Sequence, residues 1–536
     1  MRGNTDDVNT AVAEVSNSFA ERCRRTWHRR VVVEDDGGVF RLRCSTSDLV
    51  ALCEWLTGTC KYVFTSLIVE EDLPSWRLTY VFHSTADGQR IEIEALWPAA
   101  ATHVPSIAVV IPAADWHERE ASDLFGLIFD GHPRLASFVL HEGCSGHGPL
   151  MCADFDVHAT FTPPASERAA QIESSLEAPG AFAMPIGPIF SDTTESAHFR
   201  IESFGEDISR VELRLFYKYR AVEKLAEGQS MDAALLLAER FSGAAAFAHG
   251  LAFCQAVEAI CGTTPPPRAL ALRTLLAELE RLRSHVATIT GICNSTALAV
   301  ATSMAAILEE ELLRLSCLIS GHRYFFGCVM PGGLRADIPD ALCADISAAI
   351  AGIAGRLDRL ERMLRQSSSF LDRLEEVGVV SPETAKLLGL VGPVARASGV
   401  GHDMRQSFPY GAYAAHLPTV PVEAEGDGYA RLRVLFREAA ISAALIRTIS
   451  ADLPAGSTIS DVRPASGAAL GTVEAPLGAA FHWVRLAPDG AICRLRIAPP
   501  SFANWRGFQS AVETFAFQDF PIILATFGLS NAENDR

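Results

Sequence analysis

The chain has 536 residues, 49% hydrophobic and 21% charged, which suits a globular protein of two to four domains and excludes a mostly disordered or fibrous one. Its 46 basic and 64 acidic side chains leave a net charge of −18, which argues against binding nucleic acid through its phosphates.

In chain order, Arg30–Val33 and Val39–Arg43 flank Asp35-Asp36-Gly37-Gly38, a hairpin pattern, and Ser47 is placed to cap an amphipathic helix through Trp55 and Leu56. Strand-like runs follow at 61–69, 76–84 and 90–96, with Asp87-Gly88 as the turn between the last two. Ser106 to Ile111 reads as a buried strand, so the N-terminal domain, 1–156, is expected to lay a helix on an antiparallel sheet. Thr162-Pro163-Pro164-Ala165-Ser166 and Ala178-Pro179-Gly180 punctuate a polar linker over 157–184. From 185 to 536 the patterns are mainly helical. Pro265-Pro266-Pro267 opens a helix to about Thr290, and further helices are expected at 297–320, 339–375, 382–389 and 429–451. Strands return at 480–486 and 491–498. The fold class is α+β.

Two apolar stretches are long enough to be weighed as membrane spans. Phe241–Val257 carries His249 between charged flanks, and Ala297–Leu308 runs into Glu309-Glu310-Glu311, so both read as buried helices. Asp6, Asp7 and Glu14 interrupt any apolar signal core. The thirteen cysteines include no C-x-x-C or C-x-C pair, which predicts a reducing compartment and no zinc or iron–sulfur ligation by this chain. No G-x-G-x-x-G follows a strand, and neither a P-loop nor a nucleophile elbow is present.

The densest motif is Trp116-His117-Glu118-Arg119-Glu120-Ala121-Ser122-Asp123-Leu124-Phe125-Gly126, followed by Gly131-His132-Pro133. As chemistry it is an ion-pair cluster with aromatics beside a buried strand. It resembles the W-x-E-R-E-x-x-D-x-F-G signature of the 30-kDa peripheral-arm subunit of respiratory complex I. There it implies an assembly interface, here Trp116, Glu118, Arg119, Glu120 and Asp123. Further on come Gly187-Pro188, Ala197-His198-Phe199-Arg200, Tyr219-Arg220-Ala221-Val222-Glu223-Lys224 and a helix carrying Glu278, Arg281 and His285. Pro331-Gly332-Gly333, Val391-Gly392-Pro393, Asp403-x-Arg405, Glu474-Ala475-Pro476, Ala503-Asn504-Trp505 and Asp535-Arg536 follow. In that order they resemble the 49-kDa quinone-site subunit of complex I, a homologue of the nickel–iron hydrogenase large subunit. The wording is nearest that of the formate hydrogenlyase and hydrogenase-4 large subunits.

That resemblance implies a fused 30-kDa/49-kDa-type chain, and the four nickel-ligand positions of the family fall here on Ser242, Ala245, Ser530 and Glu533. Hydroxyl, methyl and carboxylate groups do not replace soft thiolates, so a nickel–iron centre is not expected. The family's quinone tyrosine falls on Gly243 and the aspartate that pairs with its histidine falls on Ser295, whereas His198 matches that histidine. His198 and Glu223 are the candidate groups for quinone binding and proton relay. The implied function is that of a peripheral large subunit of a membrane-bound oxidoreductase, in electron transfer coupled to ion translocation. The alternative is a non-catalytic coupling scaffold. The resemblance also implies no cofactor held by this chain, a quinone at its interface, and an iron–sulfur cluster in a small partner subunit. Antiporter-like membrane subunits and a place on the cytoplasmic face of the membrane complete the expectation.

Overall fold

The computed structural model describes residues 19–36, 38–72, 74–85, 88–98, 101–140, 149–153, 155–156, 158, 179–190 and 195–536. Asp87, most of the 157–184 stretch, Cys144 and the acidic residues at the start fall outside them. The chain forms two units, Met1–Glu173 and Ser174–Arg536.

In the first unit a helix at 19–27 (α1) precedes β1 (Val31–Asp36) and β2 (Val39–Cys44), which pair as the antiparallel hairpin that the sequence marks. Helix α2 (Leu49–Gly58) follows, burying Leu49, Leu52, Cys53 and Leu56, a single face at helical spacing. Ser47 does not cap it. Residues Thr46–Asp48 form a 3₁₀ turn, the Ser47 hydroxyl meets Ser45 Oγ at 2.9 Å, and the Ser45 hydroxyl donates to Asp48 at 2.8 Å. Strands β3 (Val63–Asp72), β4 (Ser75–His83) and β5 (Arg90–Pro98) form an antiparallel meander. The sheet order is β1-β2-β5-β4-β3, and β2 runs parallel to β5, so the sheet is mixed rather than antiparallel. The α2 crossover makes this pairing possible, because parallel neighbours need a long connection.

Ser106–Ile111 is a turn, not a strand. The strand is β6 (His103–Pro105), parallel to β7 (Ile128–Asp130). The Ile107 N–H, which a ladder would need elsewhere, and the Ser106 hydroxyl both donate to the buried Glu118 carboxylate of α3 (Asp115–Phe125). Gly126 closes α3 at φ 73°, a left-handed C-cap that glycine adopts without strain.

The second unit begins with β8 (Ala181–Ile186), β9 (His198–Phe204) and β10 (Asp207–Arg214), an antiparallel sheet in the order β10-β9-β8. Ala181–Met184, assigned above to the linker, are thus the first part of a strand. Short α4 (Val222–Ala226) and α5 (Met231–Arg240) lead to α6 (Ala246–Cys261) and the long α7 (Pro267–Ser295). Then come α8 (Ala299–Ser320), the two-residue β11 (Val329–Met330) and β12 (Gly333–Leu334), and α9 (Asp340–Arg365). Four short helices follow: α10 (Ser368–Leu371), α11 (Pro382–Leu387), α12 (Gly392–Ala397) and α13 (Met404–Ser407). Helix α14 (Gly428–Ala451) precedes a three-stranded antiparallel sheet of β13 (Gly467–Ala475), β14 (Gly478–Leu486) and β15 (Ile492–Ala498), and the chain ends in α15 (Pro500–Val512), α16 (Phe520–Phe527) and α17 (Asn531–Asn534).

Helix α7 is the axis of this unit. Every residue from Ala271 to Val286 is buried, with α8, α14 and α16 packed around it. Both apolar stretches noted in the sequence are helices of this core, and no helix among the described residues is long and apolar enough to cross a membrane. Helix α6 lies against β13 so closely that a Cβ on Gly471 would fall on the Ala252 carbonyl oxygen. Backbone cannot yield as a flexible side chain can, so Gly471→Ala is expected to destabilise the full-length protein by about 4 kcal/mol or more. The check is urea unfolding followed by far-ultraviolet circular dichroism.

Candidate functional site

The second unit contains a cavity of about 670 Å³ with mostly apolar walls. Strand β9 contributes Phe199 and its preceding Ala197, while α16 contributes Phe520 and Leu524. Successive turns of α7 bring Arg283, Ser284, Ala287 and Thr288 to one side. The polar side is completed by Glu195 and by Ser530 and Asn531.

This cavity is where the two segments holding the substituted positions meet. On the early segment, Ala244 lines the wall, Ala245 is the buried N-cap of α6, and the Ser242 hydroxyl is buried with no hydrogen-bond partner among the described residues. Arg283 pins this segment to α7, donating to the Gly243 carbonyl at 3.2 Å and the Ala244 carbonyl at 2.7 Å. One turn earlier, Glu280 accepts the Phe247 and Ala248 N–H groups at 2.8 and 2.9 Å, and burial pushes its carboxyl up to about 7. On the late segment, the Glu195 carboxylate gathers the N–H groups of Asn531 and Ala532 and accepts from the Ser530 hydroxyl at 3.3 Å. Glu533 accepts the Ser501 N–H at 3.1 Å, and its other oxygen faces His249 Nε2 at 3.6 Å. His249 Nδ1 in turn meets His482 Nε2 at 3.0 Å.

A nickel–iron centre does not fit this donor set. The four positions present two hydroxyls, a methyl and a carboxylate, and the Ser530 hydroxyl is already bonded to Glu195. Among the described residues no cluster of three His, Cys, Asp or Glu side chains could hold a metal ion.

The remaining candidates lie apart from the wall. Ala197 and Phe199 face the cavity, and strand alternation turns the His198 side chain between them to the other face, where it pairs in register with Arg214. Burial, with help from the Arg214 charge, holds the His198 imidazole below its ordinary value, which keeps it neutral near pH 7. Glu223 is buried in an ion-pair knot: one oxygen accepts the Ile497 N–H at 2.8 Å and faces Arg536 at 3.2 Å and Arg496 at 3.3 Å. Gly243 presses against a ring, since a Cβ there would meet Tyr324 at 3.5 Å, and Ser295 Oγ donates to its own helix at Ile292. Two residues of the site, Glu195 and Arg283, are not among those the sequence singles out. Glu195 lies 335 residues from Ser530 in an irregular segment with no periodicity to flag it, whereas Arg283 stands within the motif-bearing helix and could have been found from its neighbours there.

In the first unit, the Trp116–Gly126 motif is α3 and its cap. Trp116, Glu118 and Glu120 are buried within the unit. Arg119 donates to the Ala136 and Ser137 carbonyls and stacks over Phe138 at 4.5 Å, while Asp123 accepts the N–H groups of Phe138, Val139 and Leu140. The motif thus clamps the 136–140 segment onto α3, with backbone groups satisfying Asp123.

The family described as "Respiratory-chain NADH dehydrogenase, 49 Kd subunit" matches residues 298–465, and "Respiratory-chain NADH dehydrogenase, 30 Kd subunit" matches residues 42–160. The C/D subunit of the NADH-quinone oxidoreductase of Bdellovibrio bacteriovorus is 29% identical over 535 residues, covering 91% of this chain and 94% of that protein. That of Gluconacetobacter diazotrophicus is 31% identical over 402 residues, covering 72% and 67%. Formate hydrogenlyase subunit 5 of Escherichia coli is 28% identical over 451 residues, covering 83% and 79%.

Glu118 yields a sharp pH test. Burial raises its carboxyl from the ordinary 4.5 to about 7, against the opposing hydrogen bonds from Ser106 and Ile107. The folded state therefore favours the protonated acid, and the stability this contributes is present below about 4.5 and lost as pH rises through about 7, on the order of 3 kcal/mol in all. Glu118→Gln, whose amide still accepts from Ile107 and can donate to Ser106, is expected to remove that pH dependence. Hydrogen exchange of the α3 amides in the full-length chain, corrected for intrinsic rates, measures the difference.

Proposed function

Because this chain belongs to the family of fused C/D subunits of NADH-quinone oxidoreductase, we propose that it is the peripheral large subunit of a membrane-bound complex of this kind, and that its cavity receives a quinone-like acceptor. The observation that carries the reading is the cavity itself. About 670 Å³ of mostly apolar wall with one polar side suits a flat, apolar headgroup bearing carbonyl oxygens. Arg283 and Ser284 offer donors on that side, while the Thr288 hydroxyl donates to the Ser284 carbonyl at 3.1 Å. Reduction of such an acceptor takes two electrons and two protons. The electrons would come from an iron–sulfur cluster in a small partner subunit, since this chain presents no thiolate set for a cluster, and NAD would bind on another subunit. Antiporter-like membrane subunits would couple the reaction to ion translocation, with this chain on the cytoplasmic face.

Within this reading the absence of thiolates at Ser242, Ala245, Ser530 and Glu533 makes the chain a quinone-side subunit and not a hydrogenase. His198 would reach an acceptor only by turning from the outer face of β9 toward the cavity. Glu223 would serve a proton relay only by leaving Arg496 and Arg536, which makes it the weaker candidate. A second reading, a coupling scaffold without its own redox step, is favoured by one feature: neither His198 nor Glu223 lines the wall and Gly243 offers no phenol.

Ala287→Phe tests the cavity, since it places a ring in the space from a partly exposed position of α7. In the purified complex it is expected to weaken a quinone analogue at least about tenfold, roughly 1.4 kcal/mol, while subunit stoichiometry stays intact. Wild-type affinity in the variant counts against the cavity, and failure of the wild-type complex to bind the analogue at all favours the scaffold. Nickel near one equivalent in the purified protein would contradict both.

A further inference from the structure

The side of α7 turned away from the cavity carries a second cluster of chemistry. Glu278, Arg281 and His285 of α7 meet Arg396 of α12, Asp403 and Arg405 at α13, Glu438 of α14 and Glu474 of β13, and all eight are buried. Arg396 stands at the centre. Its Nε donates to Glu438 at 2.6 Å, and its Nη1 to Glu474 at 2.9 Å and Asp403 at 3.3 Å. Arg405 joins Asp403 at 2.7 Å to Glu278 at 3.0 Å, and Glu278 also receives Arg281, Ser442 and the Tyr413 hydroxyl. Arg281 donates to the Glu474 and Ala475 carbonyls.

Three guanidinium groups thus face four carboxylates. The other titratable groups packed on the cluster do not make up the difference. His285, which meets Glu438 at 2.9 Å, is kept below its ordinary value by burial, and His402 is held down to about 4. Tyr410 and Tyr413 are pushed up by burial and stay neutral. With every carboxylate ionised, one negative charge remains uncompensated in a water-excluded interior, where such a charge is costly.

The four carboxylates are not equally held. Glu278 has two arginines and two hydroxyls, Asp403 has two arginines and the Arg405 N–H, and Glu438 has Arg396 and His285. Glu474 has one contact to Arg396 and one to the Met404 N–H at 2.9 Å. Its own N–H donates to the Tyr410 hydroxyl at 3.1 Å, and Tyr410 lines a separate cavity of about 130 Å³ with Gln255, Glu258, Arg273 and Thr274. That volume has room for several waters, and the lining supplies their hydrogen-bond partners.

We propose that this cluster is a one-proton binding site, with Glu474 as the carrier. The assignment rests on charge imbalance and geometry, not on the quinone reading, and it holds whether or not the neighbouring cavity binds an acceptor. Burial and the nearby Asp403 charge raise the Glu474 carboxyl to about 6, while Asp403 and Glu438 are held low by their arginines. The site therefore fills as pH falls through about 6.

The test is potentiometric titration of the full-length protein from about pH 8 to about pH 5, with infrared detection of the protonated carboxyl band. Glu474→Gln is expected to take up one proton fewer per chain and to lose one carboxyl band. An unchanged proton count with all bands retained overturns the proposal. Glu438→Gln probes the imbalance without touching the carrier: with three carboxylates against three arginines, the Glu474 midpoint is expected to fall by at least about one pH unit. An unmoved midpoint overturns the proposal even if Glu474→Gln fails to fold. A wild-type chain with no carboxyl titrating between about pH 5 and about pH 7 overturns it before any variant is made.

Discussion

The second unit depends on one constraint: α7 is buried on every side through its middle, yet that stretch carries Arg273, Glu278, Glu280, Arg281, Arg283 and His285. A buried charge without a partner costs several kcal/mol, so each of these groups must draw a partner from elsewhere in the chain. Arg273 takes Glu258 of α6 and the carbonyls of Met330 and Gly333. Glu280 takes the first free N–H groups of α6, and Arg283 takes the carbonyls just before that helix. Glu278, Arg281 and His285 take α13, α14 and β13. The helix thereby fixes the early segment at the cavity wall together with α13, α14 and β13 on its other side, and hydrophobic packing alone would leave their register looser.

The elements that could be read from sequence are those set by local pattern. The β1–β2 hairpin follows from its Asp-Asp-Gly-Gly turn, α2 from the spacing of Leu49, Leu52, Cys53 and Leu56, and the start of α7 from its prolines. The misread elements are decided by distant partners. Ser106–Ile111 has a strand's composition but turns because Glu118 claims its polar groups. Ser47 yields capping to a 3₁₀ turn organised by Asp48, which also pairs with Arg30. The parallel pairing of β2 with β5 leaves no mark in either strand, since a single strand does not encode its neighbour's direction. The pattern of β13 is hidden because Gly467, Ala468, Ala469 and Gly471 blur its alternation, and Gly471 is there to admit α6.

The functional candidates divide the same way. Motif order brings the early and late segments to one cavity, so the topology is legible. Side-chain direction is not. His198 stands in β9 yet faces away, because Ala197 and Phe199 fix the alternation, and Glu223 of α4 is consumed by Arg496 and the terminal Arg536.

The substituted positions also behave unequally, and the inequality bears on what the cavity can hold. On the late side, Ser530 bonds to Glu195 and one Glu533 oxygen accepts the Ser501 N–H, while Glu533 Oε1 and Asn531 Oδ1 are buried with no hydrogen-bond partner among the described residues. On the early side, Ala245 adds only a methyl group, and the Ser242 hydroxyl sits buried with no partner among the described residues, so the donor set that a metal would need is broken on both segments. What remains is the frame: Arg283 and Glu280 hold the early segment through backbone groups, and Glu195 holds the late one through the Asn531 and Ala532 N–H groups as well as the Ser530 hydroxyl. A frame fixed by its own hydrogen bonds does not need a guest to organise it. The cost of ordering these walls is then met in folding rather than on binding, which favours a ligand that brings apolar area and few bonds of its own over one that must be coordinated.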